Sequence, residues 1–203
     1  MRSNVLYVSR GLFHPHLLAR RACRGIVEQI LGFAPDTAPA LKPDLSLYRA
    51  VVLYFHEKSL SPEVLEGLRA FVAAGGGLVA LHSAAASCKR QPGYADLLGG
   101  RFAAHGPVER FSVQPTPGYA LPSPAQPPFA ILDERYRHEI TAQVVVDYES
   151  ISSGAPEPFA WRRTGGGGRV FYLAAGHTLA AWSHPAIHAI LRAGLLWALK
   201  EQS

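Results

Sequence analysis

The chain has 203 residues, 48% hydrophobic and 17% charged, which fits one domain with a sizeable core. Its net charge of +5 is compatible with an anionic partner, but the arginines are scattered singly or in pairs (Arg20-Arg21, Arg162-Arg163) with no basic run among aromatics, so nucleic acid is not expected. Two cysteines make no disulfide framework, and no apolar stretch reaches the roughly 18 residues of a membrane span, so the expected location is the cytoplasm.

Met1–Ser9 carries no long apolar core of a signal peptide, and Val5–Val8 reads as a first strand. A loop holding Phe13-His14 follows. Leu17–Leu31 spaces Leu18, Ala22, Ile26 and Ile30 as a helical stripe, which Gly32 stops. Cys23 falls on that helix and reads as packing. A proline-rich connector hides one short strand near Phe33. Ala50–Phe55 is a continuous apolar run, as in a strand covered on both faces. Ser61-Pro62-Glu63 starts a helix, with Ser61 as cap and Pro62 at the first position. Gly75-Gly76-Gly77 ends it, and Leu78–Leu81 is the next strand.

That strand stops at His82, flanked by the small residues Ala80 and Ala84. Small neighbours permit a sharp strand-to-helix turn of the kind that lifts a hydrolase nucleophile above a sheet. Here the tip is an imidazole, which ligates metals or moves protons but replaces a thiolate poorly. Cys88 lies six residues on, beside Lys89-Arg90; nearby cations lower a thiol's pKa, but a loop position without a histidine neighbour disfavours a nucleophile. The βα repetition implies parallel strands, with ligands beyond their carboxyl ends. His14, His56 and His82 each follow a strand there.

The second half differs. Val108–Val113 reads as a strand, and residues 115–128 hold six prolines and form a surface loop. Phe129–Leu132 leads into Asp133-Glu134-Arg135-Tyr136, and Val144–Tyr148 is another strand. Pro158–Arg163 and Arg169–Leu173 form a hairpin across Gly165–Gly168; a phosphate cradle needs a helix after the glycines, and none follows. His138 sits among arginines and glutamates and reads as solvated. The last helix runs from near Ser183 or His184 to Lys200. His184 and His188 have zinc-site spacing without a glutamate between them, which disfavours a metal there.

Together these segments resemble the ThuA-like (trehalose utilisation) family. The matching stretches are Phe13-His14, Gly75 to His82, Leu98-Gly99-Gly100-Arg101-Phe102-Ala103-Ala104-His105, Asp133 to Tyr136, Pro158 to Trp161 with Gly168 to His177, and Pro185 to Ala198. Tyr119–Pro128 stands where the family commonly has a His-Pro pair. The resemblance implies a single three-layer α/β domain, flavodoxin-like and akin to the class I glutamine amidotransferases. It implies a mostly parallel sheet with helices on both faces, to which the chain adds an antiparallel hairpin near its C-terminus. It implies a site at the strand ends without the amidotransferase cysteine, whose place His82 takes, and with His177 near the amidotransferase histidine.

On that basis the expected catalytic residues are His82, Glu134 and His177. His14, His105, Tyr136 and Trp182 are expected to bind substrate. His14, His82, His105, Glu134 and His177 are candidate ligands for a divalent metal such as zinc. The alternative chemistry is general acid/base catalysis by Glu134 and a histidine. The resemblance makes the partner a small-molecule carbohydrate, trehalose or a related disaccharide or keto-sugar. A non-catalytic module that binds a ligand or partner is the competing reading, and self-association is left open.

Overall fold

A computed structural model describes residues 5–11 and 17–201. The elements run β1 (Val5–Val8), α1 (Leu17–Leu31), β2 (Asp36–Ala38), β3 (Ala50–Leu53), α2 (Pro62–Ala73) and β4 (Gly77–Leu81). A 3₁₀ turn over His82–Ala84 and α3 (Pro92–Leu98) follow. Then come β5 (Gly100–Pro115), β6 (Phe129–Ile140), β7 (Val145–Ile151), β8 (Glu157–Gly165), β9 (Gly168–Leu173), α4 (Leu179–Trp182) and α5 (Pro185–Leu199).

Among the described residues, nine strands form one sheet, ordered β2-β1-β3-β4-β9-β8-β7-β5-β6. The expectation of a mostly parallel sheet is corrected here. Pairings from β2 to β9 are parallel, those from β9 to β6 are antiparallel, and the antiparallel strands are the longer ones. The sheet is therefore mixed and mainly antiparallel. β1, β3 and β4 are buried at every position, as continuous apolar runs require. Ser61 caps α2 by accepting from the Val64 N–H.

Residues alternate across a strand, so adjacent positions of β9 show what covers each face. A Cβ on Gly194 of α5 would meet the Phe171 ring at 2.2 Å, so α5 lies directly on that face. Tyr172, on the opposite face, packs on Trp161 with ring centroids 4.1 Å apart. Trp161 Nε1 donates to the Leu98 carbonyl of α3 at 2.8 Å. Phe171 is fully buried and cannot withdraw. Gly194→Val is therefore expected to lower unfolding free energy by about 2–3 kcal/mol, read from the urea midpoint. Among the described residues, no helix is long and apolar enough to cross a membrane.

The β5–β6 hairpin places the second half of the site. Only Ser112–Pro115 of β5 pairs with β7. The remainder leaves the sheet paired with β6 and arches over the ends of β4 and β9. The Phe102 N–H donates to the Ala85 carbonyl at 2.9 Å, and Thr178 Oγ1 donates to the Leu132 carbonyl at 2.7 Å. β5 carries register shifts between Phe102 and Ala104 and between His105 and Val108. Phe102 and His105 would face opposite sides of a regular strand; the extra residue between them turns both toward Tyr136.

Candidate functional site

His82 is wholly buried and has φ of +43°, a backbone conformation rare outside glycine. The tight turn after β4 holds it there. The Ala85 N–H donates to the His82 carbonyl, which also accepts from the Tyr172 hydroxyl at 3.1 Å. The ring is set as well. Nδ1 lies 2.8 Å from the Ala174 carbonyl, which can only accept, so Nδ1 carries the hydrogen. In the neutral ring, Nε2 then presents a lone pair, 3.6 Å from Glu134 Oε2.

His177 Nδ1 approaches the same Oε2 at 3.2 Å. Its position depends on Gly176, at φ +139°, where a Cβ would lie 2.8 Å from the Trp182 ring and 3.3 Å from His82 Cβ. Only glycine lets the chain pass this close. His105 Nδ1 is 3.6 Å from Glu134 Oε1 but only 2.6 Å from the Gly106 carbonyl, so its Nδ1 hydrogen goes to that carbonyl. Burial alone would raise the Glu134 carboxyl; His82, His177 and His105 around it outweigh that and hold it below the ordinary range. Glu134 therefore stays ionised well below neutrality.

Tyr136 stacks on His82 with centroids 4.2 Å apart and faces His105 at 5.8 Å. Burial, with Glu134 and Asp133 nearby, raises its hydroxyl so that it keeps its proton. Phe102 extends this aromatic wall, with Lys89 over its ring at 4.8 Å.

The structure thus brings His82, Glu134, His177, His105 and Tyr136 to one place. Trp182 lies beneath it. It is 2% exposed, and its indole N–H is directed to the Tyr54 hydroxyl and the Gly176 carbonyl, so it supports the site and presents no polar atom to a ligand. His14 lies outside the described residues. His184 caps α5 by accepting from the Ala186 N–H, and His188 bonds the Trp182 carbonyl, so neither faces the other as a ligand pair. Cys88 is buried, and burial pushes its thiol up to about 11 despite Lys89 and Arg90. The Cys23 thiol is pushed up to about 12 for the same reason.

The sequence reading missed Asp133. This wholly buried carboxylate accepts from the N–H groups of Gly176 at 2.7 Å and Thr178 at 2.9 Å, so it fixes the backbone on both sides of His177. Its place beside Glu134 in the Asp-Glu-Arg-Tyr motif was the available signal. The expectation that His138 is solvated is also corrected. Its Nε2 shares a hydrogen bond with the Tyr172 hydroxyl at 3.1 Å, and its ring packs edge-on against Trp161 and Tyr172.

His82, Glu134 and His177 each offer one ligand atom, and the three atoms lie within 4.8 Å of one another. Zinc bonds of 2.0–2.2 Å in a tetrahedron put ligand atoms about 3.4 Å apart. The observed 3.2 and 3.6 Å lie on either side of that figure. Two histidines and a carboxylate, with further positions open, make a familiar donor set for a divalent transition metal.

The family model for trehalose utilisation, ThuA, matches residues 29–198. The chain belongs to the ThuA family. No curated protein matches it in sequence. Among solved structures, a ThuA-like protein from Parabacteroides merdae superposes with a TM-score of 0.82 at 18% identity, covering 100% of this chain and 92% of that one. A ThuA-like protein from Bacteroides uniformis gives 0.77 at 16% identity, covering 97% and 92%. A β-galactosidase from Halorubrum lacusprofundi gives 0.71 at 19% identity, covering 98% of this chain but 31% of that one. These likenesses establish a ThuA-like fold that also occurs as one part of a larger chain.

Proposed function

We propose that this ThuA family member acts on a carbohydrate, a trehalose-like disaccharide or its keto-sugar, at a divalent-metal site made by His82, Glu134 and His177. One observation carries the reading. The Ala174 carbonyl fixes the His82 hydrogen on Nδ1, so the Nε2 lone pair faces an ionised carboxylate inside the protein. Two acceptors facing each other in a buried site are unfavourable. A proton on His82 or a cation between the two groups relieves this, and His177 approaching the same oxygen at about zinc-ligand spacing favours the cation.

Zinc there would act as a Lewis acid on a sugar oxygen. Glu134, ionised at neutral pH, serves as ligand and proton acceptor, with His105 beside its second oxygen. Phe102, partly exposed beside the site, offers an apolar surface to the C–H face of a sugar ring, while Tyr136 is buried against His82 and supports it. Sugar as the substrate class comes from the trehalose-utilisation family description. Amidotransferase activity is not proposed, because the turn tip carries His82 and both thiols are buried elsewhere.

The test is elemental analysis and zinc titration of wild type and His82→Ala, followed by turnover of oxidised and unoxidised disaccharides. The wild type should hold about one zinc per chain, and the variant should bind zinc more than about 100-fold more weakly. Turnover should be lost in Glu134→Ala. Turnover without any metal would replace the metal reading by acid/base catalysis. Binding of a sugar without turnover would instead favour a non-catalytic module, a role consistent with the fold's occurrence inside larger chains.

A further inference from the structure

We infer that the cleft between α1 and the edge strand β2 is a second binding site, for the phosphoryl group of a small molecule. Leu17, Arg20, Arg21 and Arg24 fall at i, i+3, i+4 and i+7, one stripe of α1, and all four line a cavity of about 250 Å³. The opposite stripe, with Ala19, Cys23, Ile26 and Val27, is buried in the core. The arginine stripe is thus not a by-product of core packing.

Three features point to an anion. First, no carboxylate pairs with Arg20, Arg21 or Arg24 among the described residues, whereas Arg10, Arg49, Arg101 and Arg162 each have one. Second, Arg20 Nε has no hydrogen-bond partner among the described residues, whereas Ser9 Oγ is held by the Tyr7 hydroxyl. Polar atoms are nearly always satisfied, so the unpaired guanidinium nitrogen of a cavity-lining arginine leaves a donor group in want of an acceptor. Third, the cavity wall supplies no acid to repel an anion; Thr37 adds a hydroxyl, and Ala38 and Pro39 complete that side. Guanidinium forks match phosphate oxygens in bidentate geometry, which favours phosphate over a simple halide.

Ser9 follows β1 and His82 follows β4, so the cleft sits at the same carboxyl rim as the histidine site, with β3 between the two strands. The inference does not depend on a metal at His82. Inorganic phosphate and a phosphate ester share the recognised chemistry, and the experiment separates them.

Isothermal titration at low ionic strength, with inorganic phosphate, glucose 6-phosphate and glucose as probes, tests the site. Wild type should bind the phosphorylated probes saturably and weaken as salt is added, and glucose should not bind this cleft. Arg21 and Arg24 are exposed, so Arg21→Gln with Arg24→Gln should fold normally, checked by circular dichroism, and bind phosphate at least tenfold more weakly. His82→Ala should keep wild-type phosphate affinity, which assigns the binding to α1 and not to the histidine site. Tighter binding of the ester marks a phosphorylated metabolite as the ligand; equal affinity marks phosphate itself. No saturable binding of either phosphorylated probe, or equal affinity in the double variant, overturns the inference.

Discussion

Asp133→Ala is expected to lower unfolding free energy by about 3 kcal/mol and to cost zinc affinity at the proposed metal site, of which Asp133 is not itself a proposed ligand. The carboxylate accepts two backbone N–H groups in a region closed to water. Alanine leaves both without acceptors, at about 1–3 kcal/mol each. One term opposes this. Burial raises the Asp133 carboxyl above its ordinary value, against the pull of His82 and of the Gly176, Thr178 and Glu134 N–H groups, so removing the buried charge returns part of the loss. The backbone term is the larger, because two donors are orphaned by one substitution. Asp133→Asn separates the roles. It removes the charge and keeps one acceptor, so its stability should lie between wild type and alanine. Its NH₂ group opposes one of the two N–H donors, so the Gly176–Thr178 turn should still shift and His177 with it. Urea denaturation and zinc titration of both variants provide the check. Wild-type zinc affinity in Asp133→Ala would show that His177 is held by something else.

The features legible in the sequence are those buried on both faces or along one clean stripe. The limits of α1 at Leu17 and Leu31 could be read directly from its helical repeat and from Gly32, but its buried face is Ala19, Cys23, Ile26 and Val27, and Leu18, assigned to the stripe, is exposed. β1, β3 and β4 were visible as unbroken apolar runs, and the β8–β9 hairpin was visible from its glycines. β2 has three residues and α3 seven, too short for a period to emerge. The largest miss was β5–β6. Only Val108–Val113 was expected as a strand, yet β5 begins at Gly100 and passes through Gly106-Pro107 at the second bulge, where it bends without ending. Phe129–Leu132 was expected as a short apolar run leading into Asp133 to Tyr136, whereas β6 continues to Ile140. In the structure its Glu134 turns to the histidines and Tyr136 to His82, while Arg137 and Glu139 face solvent. Because this hairpin was seen only in fragments, the sheet was expected to be mostly parallel, with one antiparallel hairpin near the C-terminus.

The same alternation explains the site. His82 was legible because it ends a strand at a turn with small neighbours, and His177 from the family resemblance; β4 and β9, as neighbouring parallel strands, bring the segments that follow them together. Glu134 was legible from its motif, but its approach depends on an arching hairpin that no local pattern encodes. Trp182 and His138 were misread for a shared reason. The chemistry of a side chain does not reveal its direction, and both turn inward to bonds with distant residues, Tyr54 and Tyr172.

His138 makes that inward turn measurable as acid sensitivity. Burial holds its ring neutral and lowers its pKa from the ordinary 6.5 to about 3, with His82 adding to the shift and a hydrogen bond near Pro158 opposing it. The unfolded chain takes up a proton as pH falls below 6.5, whereas the folded chain does so only near pH 3. The unfolded state binds more protons across that window, so stability is lost as pH falls through it. The full difference is worth roughly 4–5 kcal/mol, and roughly 2 kcal/mol should already be gone at pH 5. His138→Phe keeps a flat ring against Trp161 and Tyr172 and removes the titration. It forfeits the bond to the Tyr172 hydroxyl, worth about 1 kcal/mol, while the Tyr172 donation to the His82 carbonyl persists. The variant should therefore be less stable than wild type at pH 7 and more stable at pH 5. Glu134, held below its ordinary value, also loses stability in acid, but below about pH 4.5 and equally in both proteins, so it does not move the crossing. Urea midpoints measured from pH 7.5 to pH 4.5 would show the two curves intersecting; curves that stay parallel would mean that the folded protein protonates His138 as readily as the unfolded chain does.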